Sequence, residues 1–175
     1  MTQTQPGTAT RERTYTWQDP AASAPAIGRL SGLEVFEAIG AGTLPRPPVM
    51  DTLGLEPVEF SHGRVVFSLR PQEFHLNPLG TVHGGVLATM LDTGAACAVH
   101  TTLPVGVGYT TVDLTCTYLR PVRAGGDELR VVGTVLSRGR RTALGQAQVL
   151  DARDRLVAHA TSTCLLMAVD GADLG

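Results

Sequence analysis

One run of the chain, residues 83–100, strongly limits the folds available to it, because the run is almost uniformly apolar and yet carries a carboxylate. It reads HGGVLATMLDTGAACAVH, and Asp92 is the only formally charged residue between Glu73 and Asp113. Small and apolar residues occupy every side of a helix with this sequence, which predicts a helix buried on all sides. A buried carboxylate is costly unless it pairs or reacts, so Asp92 is the first candidate for a catalytic group.

The length and charge of the chain exclude several classes of protein. Its 175 residues are enough for one domain with a substantial core. Its basic residues are all arginines, scattered along a chain of net charge −2, which is not the pattern of a nucleic-acid-binding protein. No apolar run reaches the ~18 residues of a membrane-spanning helix, and the N-terminus lacks the apolar core of a secretory signal. We therefore expect a cytoplasmic protein with no nucleic-acid or membrane partner.

The three cysteines, Cys97, Cys116 and Cys164, are odd in number, far apart and set in apolar sequence. This pattern is typical of reduced thiols in a cytoplasmic protein and indicates neither a disulfide framework nor a metal cluster. A nucleophilic role for Cys97 is the alternative that the sequence leaves open.

The chain is expected to consist of an N-terminal tail and a single domain. Residues 1–26 are rich in Thr, Gln, Pro, Ala and Ser, which predicts a flexible tail. The domain, residues 27–175, is expected to begin with a short amphipathic helix that starts at Ile27 and ends before Gly40. The proline-rich residues 44–48 follow it as an extended segment.

The remaining segments predict an antiparallel sheet. The β-prone segments lie at residues 58–60, 64–70, 109–120, 127–138, 141–151 and 155–168. The first two are expected to form a hairpin, and short connections predict that the last four form a meander of sequential neighbours. With the apolar helix placed at about residues 83–101, the predicted fold class is α+β, with an antiparallel β-sheet wrapped around a long central helix.

The start of the predicted central helix offers a second candidate feature. The first amides of a helix have no partners within it, and the helix dipole favours negative charge at this end. Gly84 and Gly85 would let a ligand carbonyl approach the backbone closely, and the Gly84 N–H is the expected donor to an oxyanion. The alternative for His83 is that it simply caps the helix or packs.

The spacing of these two features points to a dimer. At ~1.5 Å per residue, Asp92 lies about 12 Å along the helix from Gly84, too far for both to touch one reacting carbonyl. Two antiparallel copies of the helix, related by a two-fold axis, would place the helix start of one chain opposite the carboxylate of the other. We therefore expect a homodimer with a shared site.

From about Leu44 to Met167 the sequence resembles the hotdog-fold acyl-CoA thioesterases, specifically the PaaI-type branch of the 4-hydroxybenzoyl-CoA thioesterase superfamily. The resemblance rests on a spaced set of motifs. These are Asn77-x-x-Gly80-x-x-His83-Gly-Gly85, Asp92 nine residues after His83, Thr110-Thr-Val-Asp-Leu114 and Tyr118-Leu-Arg-Pro121.

The resemblance implies a hotdog dimer, often paired into a homotetramer, that hydrolyses acyl-CoA to free acid and CoA without a metal or other cofactor. It implies that Gly84 supplies the oxyanion amide and that Asp92, contributed by the facing subunit, is the nucleophile or the general base. It further implies that Asn77 places the thioester or water and that His83 supports that loop. A hydroxyl on the following strand commonly assists, with Thr111 the better aligned candidate and Thr110 beside it, where relatives often have serine.

Two further predictions concern the substrate. Arg138, Arg140 and Arg141, at a predicted strand turn, are the expected ligands of the CoA phosphates, with Arg120 and Arg123 as the alternative set. The segment 27–48, with its apolar stripe, is expected to cover the acyl pocket.

Two alternative functions stay open at the level of sequence. One is a non-catalytic acyl-CoA sensor of the same fold, which would have no need of the Asp92 carboxylate. The other is a hotdog enoyl-thioester hydratase or dehydratase, for which His83 and Asp92 would form the pair that moves a carbon-bound proton.

Overall fold

The computed structural model describes residues 10–169 and contains one six-stranded sheet with a central helix. The α-helices are α1 (Ala24–Ile27), α2 (Gly32–Gly40), α3 (Pro48–Leu53) and α4 (Gly84–His100). Short 3-10 helices lie at Pro20–Ser23 and Glu73–His75. The strands are β1 (Leu55–Ser61), β2 (Arg64–Leu69), β3 (Val107–Tyr118), β4 (Leu129–Arg138), β5 (Thr142–Leu150) and β6 (Leu156–Ala168).

Every pairing in the sheet is antiparallel, and the strand order is β1-β2-β4-β5-β6-β3. The sheet wraps around α4, which contacts β2, β3, β4, β5 and β6. The predicted fold class, an antiparallel sheet around a long central helix, is therefore confirmed.

The predicted four-strand meander is wrong for its first strand. Both edges of β4 are occupied, one by β2 from Arg64–Thr134 to Leu69–Leu129 and the other by β5. Strand β3 instead pairs with β6, between Val107–Ala168 and Tyr118–Ala158. Strand β3 therefore lies at one edge of the sheet, and β5 and β6 separate it from β4.

The N-terminal helix starts later than the apolar spacing predicts. Ser31 caps α2, and the Glu34 carboxylate accepts a hydrogen bond from the Ser31 amide at 2.7 Å, which forms a capping box. The extended proline-rich segment ends at Pro47, because Pro48 occupies the first turn of α3, where proline is favoured. Of the predicted tail, residues 1–9 lie outside the described part of the chain, and residues 20–27 form the first 3-10 helix and α1.

Helix α4 lies against the sheet with backbone contacts at two glycines. A Cβ added to Gly133 of β4 would lie 1.9 Å from the Gly94 carbonyl oxygen, and one added to Gly145 of β5 would lie 2.6 Å from that of Ala95. The small residues of the central run thus serve close packing, and they bury Met90, Leu91 and Ala98 completely.

The opposite face of α4 corrects the expectation of a helix buried on all sides. In the single chain Gly85 is exposed, and Thr89, Asp92 and Thr93 are only half-buried. The residues on this face are small, but the sheet covers the other side of the helix, so Asp92 has access to solvent or to a partner.

The contact between Gly133 and Gly94 predicts a large loss of stability on substitution. Replacing Gly133 by Ala would force the two backbones apart, and we expect the free energy of unfolding to fall by about 3 kcal/mol or more. Chemical denaturation followed by circular dichroism measures this change. Gly28→Ala is the matched control, because a Cβ at that position meets nothing within 4 Å. Equal stability of the two variants would contradict the packing described for α4.

Candidate active site

The Asp92 carboxylate is held by a threonine of the neighbouring strand. The Thr111 hydroxyl donates a hydrogen bond of 2.9 Å to Asp92 Oδ1. The pairing of β3 with β6 shifts register between Thr111 and Asp113, an irregularity of the kind that redirects side chains next to functional sites. No other donor among the described residues bonds to this carboxylate, so its second oxygen is available to a substrate or to water.

Two groups near Asp92 are held in their neutral forms. Burial raises the pKa of the Cys97 thiol to about 12 and also raises the pKa of Tyr109. A cysteine attacks as its thiolate, and this thiol stays protonated at neutral pH. The structure therefore argues against Cys97 as the nucleophile, the alternative left open by the sequence.

The loop before α4 is closed by the side chain of Asn77. Its Oδ1 accepts hydrogen bonds from the amides of Leu79 at 2.9 Å and Thr81 at 3.2 Å, and its Nδ2 donates to the Thr81 hydroxyl at 2.9 Å. Gly80 has a φ of +74°, the left-handed conformation that this tight turn needs. Asn77 thus shapes the loop, and its placing of a thioester or water stays a prediction.

His83 caps the first turn of α4. Its Nδ1 accepts a hydrogen bond of 2.9 Å from the Gly85 amide, and its own amide donates to the carbonyl of His75 at 2.8 Å. His75 is buried, and its Nε2 lies 2.9 Å from the carbonyl of Leu53. The start of α4 is therefore held by two hydrogen bonds, one to the His83 side chain and one from the His83 amide to His75.

The Gly84 amide has no acceptor among the described residues. The Gly85 amide, in contrast, donates to His83 Nδ1. A cavity of about 310 Å³ adjoins Gly84, and its lining includes Tyr118 and Arg120. The Tyr118 ring lies over Gly84, since a Cβ there would sit 3.5 Å from Tyr118 Cζ. An unpaired amide at a helix start beside a cavity is suited to stabilising an oxyanion.

A second cavity, of about 440 Å³, adjoins Thr110 and Thr111 at the other end of β3. Gly84 does not line it, and Thr111 does not line the first cavity. The single chain therefore separates the Asp92–Thr111 pair from the Gly84 amide, in agreement with the ~12 Å spacing expected along α4.

Of the three predicted phosphate-binding arginines, Arg138 ends β4 and Arg140 and Arg141 lie on the turn to β5, and all three are exposed. In the sheet, Thr142 pairs with Leu165, which in turn pairs with Thr110. The turn therefore lies at the Thr110 end of the sheet, about 10 Å away across two strand spacings. The alternative arginines, Arg120 and Arg123, lie at the other end of β3, where Arg120 borders the cavity beside Gly84.

Sequence reasoning missed three parts of this region. The sequence motif gives no sign that Tyr118 covers Gly84, and nothing in the sequence marks Tyr109, which lines a cavity together with Cys97. The walls that α2 contributes to the larger cavity were not predicted residue by residue. An exposed tyrosine at the end of a strand is a weak signal, and the cavity walls come from segments far apart in sequence.

Within residues 10–169, the structure has no helix long and apolar enough to cross a membrane. The same residues contain no group of three or more His, Cys, Asp or Glu side chains arranged to hold a metal ion.

The chain is similar to known thioesterases in sequence. The model of the thioesterase superfamily matches residues 79–158. Human acyl-coenzyme A thioesterase 13 is 30% identical over 107 residues, which cover 61% of this chain and 75% of the human protein. The match to a Caenorhabditis elegans relative, 40% identical over 87 residues, spans half of that protein.

Solved structures agree with the sequence matches. The phenylacetic acid degradation-related protein of Ralstonia eutropha JMP134 aligns with a TM-score of 0.68 and 33% identity, over 74% of this chain and 98% of that one. A Streptococcus mutans protein bound to acetyl CoA aligns with a TM-score of 0.61 and 26% identity, over 66% of this chain and 90% of that one. This chain belongs to the thioesterase superfamily and has its hotdog fold.

Proposed function

We propose that the protein hydrolyses an acyl-CoA thioester to the free acid and CoA. The proposal is supported by its family, by the acyl-coenzyme A thioesterase among its relatives and by the acetyl CoA bound to one structural neighbour. The observation that carries it is the hydrogen bond from Thr111 to Asp92, which orients a solvent-accessible carboxylate beside a cavity.

The proposed chemistry needs only the carboxylate and the helix-end amide. As a general base, Asp92 removes a proton from water, and the hydroxide adds to the thioester carbonyl carbon. The Gly84 N–H stabilises the oxyanion, and when the C–S bond breaks the proton passes to the sulfur of CoA. As a nucleophile, Asp92 would attack the same carbon and expel CoA as its thiolate, which leaves a mixed anhydride that water cleaves to the free acid and the Asp92 carboxylate.

A homodimer would bring the two halves of this site together. Within residues 10–169, strand β3 pairs only with β6, so its other edge is open along 12 residues, and Val112 on it is 62% exposed. An open edge of this length is a template for pairing with a second copy of the chain. Two-fold pairing there would set the α4 helices antiparallel, with Gly84 of one subunit near Asp92 of the other. Association of dimers into a tetramer stays a further prediction.

The remaining contacts to CoA and the location of the protein are also proposals. Arg138, Arg140 and Arg141 are exposed at the Thr110 end of the sheet, where they would bind the CoA phosphates. Gly85 and Thr110 would border the bound thioester. The three cysteines form no disulfide, which is consistent with the proposed cytoplasmic location.

Removing the Thr111 hydroxyl tests the orientation of the carboxylate. Thr111→Val keeps the shape of the side chain but removes the hydrogen bond to Asp92, and we expect kcat to fall about tenfold or more. Steady-state hydrolysis of an acyl-CoA, followed by release of the CoA thiol, measures the change.

Two further variants complete the Thr111 test. Thr111→Ser keeps the hydroxyl and is expected to restore most of the activity. Thr115→Val makes the same change at an exposed position of β3 and is expected to leave kcat unaltered. Similar activity of Thr111→Val and Thr115→Val would count against a positioning role for Thr111.

A further inference from the structure

The cavity of about 440 Å³ lies between the N-terminal segment and the second half of α4. Val35, Phe36 and Ile39 of α2 line one side, and Cys97 and Tyr109 line the other. The rest of the lining is formed by His100, Thr110, Thr111 and residues 20, 23 and 45–48 of the N-terminal segment. Thr111, which lines the chamber, bonds to Asp92, so one side chain separates the chamber from the proposed catalytic carboxylate.

The side of the chamber formed by α2 is fixed in place. A Cβ at Gly32 would lie 1.7 Å from the carbonyl oxygen of His100, and the Gly32 amide donates a hydrogen bond of 3.0 Å to the carbonyl of Leu103. Phe36 is 5% exposed, stacks on Phe60 at 4.8 Å and meets the His100 ring edge-on at 5.3 Å. The start of α2 is thus in backbone contact with the end of α4.

The lining of the chamber offers no free charge to a ligand. Arg46 at its border bonds to the carboxylates of Asp51 and Glu56, at 2.5 Å each. Burial lowers the pKa of His100 to about 4, so this imidazole is neutral at physiological pH. Burial raises the pKa of Cys97 and of Tyr109, so both are uncharged at physiological pH, and no buried side-chain nitrogen or oxygen of the described residues lacks a partner. A charged substituent would lose its hydration here without gaining a partner.

We infer that this chamber receives the acyl group of the thioester, that it selects apolar acyl groups without charged substituents, and that Ile39 of α2 limits their size. The inference rests on the proposed function. A thioester whose carbonyl carbon lies near Asp92 for hydrolysis would place its acyl group beside Thr111, at the chamber. In this assignment α2 is the part of segment 27–48 that covers the acyl pocket.

The test compares acyl-CoA substrates in wild type and in two variants of Ile39. We expect kcat/KM of the wild type to be at least about tenfold higher for hexanoyl-CoA than for succinyl-CoA, whose free carboxylate the chamber disfavours. Ile39→Trp fills the chamber, so the ratio of kcat/KM for decanoyl-CoA to that for acetyl-CoA should fall about tenfold or more. Ile39→Ala enlarges the chamber and should raise the same ratio.

Glu37→Trp is the matched control, because it adds the same side chain to an exposed position of α2 that does not line the chamber. It should keep the wild-type ratio. Equal substrate ratios in Ile39→Trp and Glu37→Trp, with hydrolysis intact, would overturn the chamber and leave the proposed function standing.

A binding measurement separates the two proposals in the opposite case. In the Asp92→Asn background, titration calorimetry gives the Kd of decanoyl-CoA and the Kd of CoA. The ratio of the Kd of CoA to that of decanoyl-CoA is the contribution of the acyl group to affinity. We expect this contribution to fall about tenfold or more when Ile39→Trp is added. If wild type hydrolyses no thioester but the contribution is present and sensitive to Ile39, the chamber stands and the hydrolase proposal falls. If Ile39→Trp leaves the contribution unchanged, the chamber assignment is overturned.

Discussion

Asp92→Asn is expected to lower kcat for acyl-CoA hydrolysis by about 10²–10⁴-fold, because an amide neither accepts a proton from water nor attacks a carbonyl. The substitution is nearly isosteric, and the amide oxygen can still accept the hydrogen bond from Thr111. The fold and the affinity for the substrate should therefore be retained. Rates of CoA release at saturating substrate, together with calorimetric binding of the same thioester, measure both quantities.

Asp113→Asn is the control for this change. Asp113 lies on β3 within two residues of Thr111, but its side chain is exposed and accepts a hydrogen bond of 3.2 Å from the Thr163 amide. Its replacement should leave kcat within about twofold of wild type, as for an ordinary surface position. An Asp92→Asn enzyme that turns over as fast as Asp113→Asn would refute the catalytic role of Asp92.

Gly84→Pro is expected to lower kcat by about 10²–10³-fold, the loss typical of removing one oxyanion donor. Proline lacks the backbone N–H and is favoured at the first position of a helix, which Gly84 occupies in α4. The preceding residue, His83, has a φ of −62° and a ψ of 138°, an extended conformation that a following proline accepts. The variant therefore removes the donor with little strain on the backbone.

Gly84→Ala separates the loss of the amide hydrogen from the effect of added bulk. Its Cβ would meet the Tyr118 ring at 3.5–3.8 Å, an ordinary contact, and its N–H is retained. We expect Gly84→Ala to keep most of the activity that Gly84→Pro loses, with equal thermal stability of the two variants. Equal kcat in both would argue that the Gly84 amide does not stabilise the oxyanion.

The same two inactive variants test whether the site is shared between subunits. In a dimer of one Asp92→Asn chain and one Gly84→Pro chain, one site carries both defects and the other carries neither. If co-expressed chains pair at random, half of the dimers are mixed, and activity should recover to about one quarter of wild type. No recovery in dimers shown to be mixed would mean that each chain builds its own site.

The central helix was the most predictable element of the fold. An apolar run bounded by a histidine-glycine turn and by Pro104 places it at residues 83–101, and the structure has it at Gly84–His100. Strand positions were also close, and the β1–β2, β4–β5 and β5–β6 pairings were predicted correctly. The predicted β3–β4 pairing was wrong because β2 already occupies that edge of β4, which the length of a connection does not indicate. The later start of α2 was readable from the capping pair Ser31 and Glu34, three residues apart.

The candidate site was predictable only in its parts. The carboxylate of Asp92 stood out because its sequence surroundings are apolar, and the resemblance to thioesterases pointed to Thr111 as the hydroxyl. The hydrogen bond that joins them depends on the register of β3 in the sheet. The chamber could not be predicted in detail, because residues 35–39 and 97–111 meet only once the fold has formed.

The backbone contact between Gly32 and His100 bears on the kinetics of the protein. The Gly32 amide bonds to the carbonyl of Leu103, three residues beyond the end of α4, and the Gly32 backbone contacts that of His100, so the first turn of α2 is anchored. We therefore expect the chamber to keep its volume with and without substrate, so that choice among substrates is made when they bind and not by the closing of a lid. Release of the acid then need not wait for a slow conformational step.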